Sequence, residues 1–429
     1  MGNNAFKSIY GWWRVFSVAF LILVSGCATF NPHPGDQASF LDRAQTQYKA
    51  GVRVTAAVPS AEESRKLFGV DLYGSGVQPV WLKIENNNKD AVFFLPLGLD
   101  PEYFTPFETA AMNHFSFSTP ENDKMDRYFW KQSQRIYIAP GSVRSGFVYT
   151  PVDEGTKGLN VDIIGEDQEF RTFIFFINVP GLRVDHYQVD FENLYSKEEI
   201  VTHDENGLRK ALENLPCCTT NEEGTGNADP LNLVVIGEGK DVLHAFIRAG
   251  WDETETIYST SAWKTGISFL FGGKYRYSPV SGLYVYGRPQ DAALQKARET
   301  IHERNHLRLW LSPIRFEDKP VWVGQISRDI GVRFTWKTIT THKIDPDVDE
   351  TREFLIQDLW YSHGLLKVAY VKGVGEASIS EPRTNLTGDP YFTDGLRAVL
   401  WVSGQPVELE DLEFVDWERP PGRSEAKKQ

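Results

Sequence analysis

The chain has 429 residues, of which 41% are hydrophobic, 24% charged and 13% aromatic. That balance excludes a disordered or fibrous chain and calls for more than one folded core. The formal net charge is −13, an acidity that repels phosphate backbones, excludes nucleic acid as the expected partner and gives no polybasic route onto anionic lipid.

Residues 1–14 carry Lys7 and Arg14 and no acid. Residues 15–26, VFSVAFLILVSG, form an apolar run. Crossing a bilayer takes about 20 apolar residues, so the run is too short to span and fits a signal h-region. Val24-Ser25-Gly26-Cys27 follows at once. It resembles the lipobox of bacterial lipoproteins, where small residues fit the peptidase cleft and the thiol forms a thioether. A signal peptide over 1–26 and lipidation at Cys27 are therefore expected, with a secretory signal lacking lipid, or an uncleaved anchor, as the alternatives. Each buried acyl CH₂ contributes about 0.8 kcal/mol, so several chains anchor stably and make the membrane a partner through the N-terminal lipid. Ala28 follows the cysteine, and no Asp stands there. By analogy this favours a periplasm-facing lipoprotein of the outer over the inner membrane.

Residues 27–50 are polar, with Pro32, Pro34 and Gly35, and read as a tether and short helix. From 51 to 180 the signals are mostly short strands separated by turns. Val52–Val58 and Val80–Glu85 alternate, and Gly146–Thr150, Leu159–Ile164 and Phe170–Val179 are β-rich. Helices interrupt them near 60–68 and 106–114. The pattern predicts an Ig-like β-sandwich. Residues 181–229 read as a linker region holding a helix within 197–215, with Thr219–Asn227 as its most linker-like part. Cys217 and Cys218 are adjacent and are expected not to bridge each other, because neighbouring Cβ vectors point apart; an oxidised regulatory pair is the minor alternative in an exported protein.

A second domain is expected over 230–415, followed by a charged tail at 416–429. Its elements are a buried strand at Leu231–Gly237, a helix over Lys240–Ala249 stopped by Gly250, and a strand at Gly282–Tyr286. A helix over Gln290–Arg304, strands at His306–Leu311 and Val321–Ile326, a helix over Asp345–Tyr361 and a strand at Leu365–Val371 follow. Mixed elements without strict alternation predict an α+β domain. The apolar stretch Gly266–Gly272 is too short to span a membrane and reads as core or interfacial.

The candidate chemistry lies in this second half. Alternation puts His306, Arg308 and Trp310 on one strand face. Asp345 and Asp349 stand at i,i+4 on a helix, with Arg352 near one further turn on. Two histidines and several carboxylates could hold a divalent metal or act as general acid and base. His306, Arg308, His342, Asp345, Asp349 and Arg352 are therefore the candidate catalytic residues. The same types also have structural explanations. Asp345 before Pro346 reads as an N-cap with proline at N1, and Asp347, Asp349 and Glu350 suit the positive end of the helix. Asp349 can pair with Arg352, and Arg288 with a capping Asp291. Only His306, Arg308 and His342 then need another reason. An acidic first turn disfavours a phosphate seat. No GxSxG, HExxH or phosphate loop is present, and Gly237-Glu238-Gly239 lacks a third glycine.

The second half also resembles the LssY C-terminal domain family over residues 230–375. The resemblance rests on Leu231-Asn232-Leu233-Val234 with Ala249-Gly250-Trp251, on Ser278–Tyr284 with Gly287-Arg288-Pro289-Gln290-Asp291, and on Arg308-Leu309-Trp310, Val321–Gly324 and His342–Arg352. Gly282 departs from it, standing where a proline is expected. The resemblance implies a domain found fused to membrane phosphatase-like domains and on envelope proteins, with no established activity. Two functions compete: a binding or assembly module for an envelope protein, glycan or lipid, and a hydrolase, metal-assisted or not, acting on a phosphoester or lipid ester through His306, Arg308, His342, Asp345 and Asp349.

Overall fold

A computed structural model describes residues 28–33, 38–254, 282–297, 304–333 and 341–421. The expected signal peptide, Cys27, the Gly266–Gly272 stretch and the end of the expected charged tail lie outside them. The chain is mainly β, with several sheets, and divides into two units, Met1–Gly181 and Leu182–Gln429.

Unit 1 is built on β1 (Gln45–Lys49), β2 (Val52–Ala57), α1 (Ala61–Phe68), β3 (Val77–Asn86), β4 (Val92–Leu95), α2 (Pro106–Ala111), α3 (Thr119–Gln132), β5 (Tyr137–Ile138), β6 (Val143–Pro151), β7 (Gly155–Gly165) and β8 (Phe170–Val179). Two four-stranded sheets form, in the orders β1-β2-β3-β6 and β5-β4-β7-β8. Alternation decides the layering. Val52, Val54, Ala56, Val80, Leu82 and Ile84 of the first sheet share one core with Val92, Phe94, Val161, Ile163, Phe173 and Phe175 of the second. The opposite face of the first sheet carries Val77, Phe147 and Tyr149, which pack on Phe68 of α1 and on Met125 and Phe129 of α3. A capping box starts α1, with Ser60 and Glu63 bonding reciprocally. Thr105 and Glu108 do the same for α2.

The described part of the expected tether is not free. Ala28 bridges to Phe117, and the Phe30 amide donates to Glu121 Oε2 at 2.9 Å. The His33 amide donates to the Lys66 carbonyl at 3.0 Å. Gly69, at φ +68°, lets the Asn31 backbone approach to 3.0 Å of where a Cβ would stand. Polarity suggested a leash; buried Phe30 turns it into a strap.

Unit 2 holds, in chain order, β9 (Val201–His203), α4 (Glu205–Glu213), β10 (Cys218–Thr220), β11 (Asn227–Pro230), β12 (Leu233–Ile236), α5 (Gly239–Arg248) and β13 (Asp252–Glu253). Next come β14 (Tyr284–Val285), β15 (Arg288–Pro289), β16 (Ala292–Ala297), β17 (Arg304–Phe316), β18 (Lys319–Arg333) and β19 (Thr341–Ile344). The last are α6 (Val348–Tyr361), β20 (Leu365–Lys372), β21 (Arg383–Thr384), β22 (Pro390–Tyr391), β23 (Leu396–Val402) and β24 (Glu413–Phe414). The main sheet runs β13-β16-β17-β18-β12-β23-β20-β24, with β19 beside β18 and β9 beside β17. One face, through Leu233, Leu307, Leu309, Ile326 and Leu400, packs on α5 and α6. The other packs on α4 through Val234, Val321 and Val399, and at Trp310 and Val323 on Leu283 and Val285 of a small sheet ordered β11-β10-β14-β15.

Four expectations are corrected here. Residues 292–297, part of the expected helix over Gln290–Arg304, form β16, with Gln295 opposite His306 and Ala293 opposite Arg308. Their Ala-rich composition favours helix locally, and pairing overrides it. The linker-like Thr219–Asn227 closes a hairpin between β10 and β11. Asp347, not Asp345, caps α6, accepting from the Glu350 amide. Cys217 and Cys218 are joined as a disulfide. Only Cys218 lies in a strand, so strand alternation does not separate the two side chains.

Candidate functional site

On β17 and β18 antiparallel register sets His306 opposite Ser327 and Arg308 opposite Gln325. With Arg304 and Asp329 these make a polar continuation of the sheet face that carries Trp310 and Val323, and all six side chains are buried. Arg308 Nη1 donates to Gln325 Oε1 at 2.8 Å, and Gln325 Nε2 donates to Ser327 Oγ at 2.8 Å. Ser327 Oγ and His306 Nε2 share a hydrogen bond, 2.9 Å apart. The other ring nitrogen, Nδ1, faces Asp329 Oδ1 at 3.5 Å. Arg304 Nε reaches Asp329 Oδ2 at 3.2 Å. The result is one continuous line of polar groups. Burial pushes the Arg308 guanidinium down to about 10, against the pull of Asp229 and Asp329.

A second network gathers at the start of α6. Arg352 is buried and forks onto Asp394, with Nη1 and Nη2 each at 2.9 Å from a carboxylate oxygen. It also reaches Asp349 at 3.2 Å, Glu353 at 2.9 Å and the Leu396 carbonyl at 2.8 Å. Asp349 accepts from the Thr393 hydroxyl at 2.8 Å and the Asp394 amide at 2.6 Å. Burial pushes its carboxyl up to about 6, with Asp394 adding to the rise and Arg352 opposing it. The three carboxylates in turn raise the Arg352 guanidinium.

The structure thus brings His306 and Arg308 together and sets Asp349 and Arg352 together elsewhere. Asp345 joins neither group. Its amide donates to the Arg328 carbonyl at 2.8 Å, and its carboxylate accepts from the Asp347 amide at 3.0 Å. His342 lies on β19 with its backbone opposite Val332. Arg288 and Asp291 do pair, at 2.9 and 2.8 Å, but across a strand corner where Asp291 also accepts from the Leu311 amide.

Sequence reasoning passed over Arg304, Gln325, Ser327, Asp329 and Asp394. The first four were visible as alternation, since Gln325, Ser327 and Asp329 recur at every second position. Polar alternation ordinarily marks a solvent face, and here that face is buried. Asn232 was quoted as a motif residue without a role. Its side chain joins the Ile326 backbone to the Val348 carbonyl, pinning β18 to the start of α6.

Among the described residues no three His, Cys, Asp or Glu side chains gather as a metal site. None of the described helices is long and apolar enough to cross a membrane.

The site and fold therefore define a β-rich domain with helices on its sheet and two buried polar networks. Residues 209–396, from α4 to the first residue of β23, match the family model described as LssY C-terminus. No curated protein gives a significant match to the chain.

Proposed function

We propose that the protein is an envelope lipoprotein, held by lipid on Cys27 and facing the periplasm, with the outer membrane favoured over the inner. In this reading unit 1 is an Ig-like sandwich, supported by its two four-stranded sheets around a shared core. Unit 2 is a binding or assembly module for an envelope protein, glycan or lipid. One observation carries the choice of binding over catalysis. The residues expected to form one hydrolytic centre divide between two networks, His306 with Arg308 and Asp349 with Arg352, each engaged by its own neighbours.

The test is a thermal-shift panel of envelope glycans, lipids and peptides on the purified lipidated protein, run beside an esterase and phosphatase screen with and without divalent metal. Stabilisation by one ligand class with no turnover supports binding; turnover refutes it. Intact mass of the mature N-terminus and fractionation of the two membranes test the anchor and the location.

A hydrolase is the second reading, favoured by the order of contacts Asp329, His306, Ser327. A hydroxyl hydrogen-bonded to an imidazole whose other nitrogen faces a carboxylate is the connectivity of an activated serine. A fluorophosphonate probe that labels the intact protein, and fails on Ser327→Ala, would establish that reading in place of binding.

A further inference from the structure

Segment 106–117 of unit 1 shows large apolar side chains to solvent. Phe115 is 82% exposed, Phe107 53% and Met112 38%. Phe107 lies on α2, and Phe115 lies in the turn of 3-10 helix His114–Ser116 before α3. The Ser75 hydroxyl donates to Asn113 Oδ1 at 3.1 Å, which places this segment at the Val77 end of β3. Clustered exposed apolar side chains mark an interaction surface.

The chain start decides what covers it. Ala28 bridges to Phe117, two residues from Phe115. Phe30 packs edge-on against Phe117 and Tyr128, with centroids 6.3 and 5.7 Å apart. Ala28 is one peptide unit, about 3.8 Å between Cα atoms, from Cys27. A lipid on Cys27 therefore has no leash, and the surface beside Ala28 meets the membrane that holds it. Between Lys89 and Lys124 the sequence has no Lys or Arg, while Asp100, Glu102, Glu108 and Glu121 lie within that span. The segment itself offers no Lys or Arg to anionic headgroups, so its own contact with lipid is apolar.

The geometry points to a membrane-docking surface made of Phe107, Met112 and Phe115, inserted among the lipids of the leaflet that carries the acyl chains. It rests on the anchor reading above and adds an orientation to it. The Val77 end of the sandwich lies on the bilayer, and the opposite end, where Arg171 Nε donates to the Ala50 carbonyl at the β1–β2 turn, stands off.

The experiment uses the mature full chain in phosphatidylcholine vesicles, with single labels at Phe107→Cys, Met112→Cys or Phe115→Cys and a control at Phe170→Cys. Phe170 is 54% exposed and neighbours Arg171 at the far end. All four sites are exposed, so folding is preserved, and circular dichroism checks it. Interfacial side chains sit ~5–10 Å deep, so bromine on the acyl chains should quench the three patch labels at least about twofold and leave the control unchanged. Quenching should not respond to added salt or anionic lipid. Patch labels quenched by aqueous iodide as strongly as the control overturn the proposal. Patch labels shielded from both quenchers also overturn it, because a protein surface then covers them. Intact mass reports acylation of Cys27 separately. If no acyl group is found, the anchor reading falls, and the same quenching on vesicles added to that protein still decides the docking surface.

Discussion

Two regions of unit 2 take charge out of water in different ways. On the β17–β18 face neutral groups carry much of the line: Arg308 donates to an amide oxygen, and Gln325, Ser327 and His306 pass hydrogen bonds along the strands. At the start of α6 one arginine meets three carboxylates, and one of these, Asp394, is gripped by both terminal nitrogens. Burial accordingly depresses Arg308, whereas its carboxylates raise Arg352. The hub is an ion cluster in which one cation is shared by three carboxylates. The sheet face is a hydrogen-bond ladder whose order comes from strand register.

The sharpest way to break this comparison is Arg352→Met. Among the described residues Arg352 is the cation that Asp349, Glu353 and Asp394 share, so its removal leaves partly buried carboxylates uncompensated, and urea unfolding should show a loss of about 3–5 kcal/mol. Asp394→Asn in that background should recover part of it. A smaller loss than that from Arg308→Met would show that the hub is not the stronger charge cluster.

The pH dependence of the hub comes next. The Asp349 carboxyl rises from an ordinary 3.8 to about 6 in the fold. Below pH 4 both states bind the proton and its contribution to stability is complete. As pH rises through 6 the folded state must give up a proton it held more tightly, and that contribution is lost. The loss should be at most about 3 kcal/mol between pH 4 and 6, since the two states differ by one bound proton across that window. Asp349→Asn should flatten this window in unfolding curves taken at several pH values.

Arg308→Met should cost less, about 1–3 kcal/mol, because it strands the Gln325 amide oxygen while removing a guanidinium that burial already disfavours. Ser327→Ala should cost least, about 1 kcal/mol, through the lost bond to His306 Nε2. In the binding reading it leaves any ligand-induced thermal shift unchanged in sign, which the ligand panel measures directly.

Much of the architecture was legible where a local rule operates. The alternation of β2 and β3 predicted their buried faces, and Ser60 with Glu63 marked the start of α1. The apolar stripe of Val242 and Phe246 predicted α5. The expected helix at 290–304 failed at 292–297 because Ala, Leu, Gln and Lys favour helix locally, while a register with β17 is invisible in one sequence window. The candidate site was half legible for the same reason. His306 and Arg308 were found together because they share a strand. Asp349 and Arg352 were found together because they share a helix face.

Local periodicity, set by backbone geometry over a few residues, was thus written in the sequence, as was the match of residues 209–396 to one family. Tertiary structure alone decided which polar faces are buried and what they meet. Asp394 reaches Arg352 from 42 residues away and Ser327 reaches His306 from 21. Such partners are chosen by strand register and helix docking, whose energies come from burial over the whole unit and leave no short-range signature.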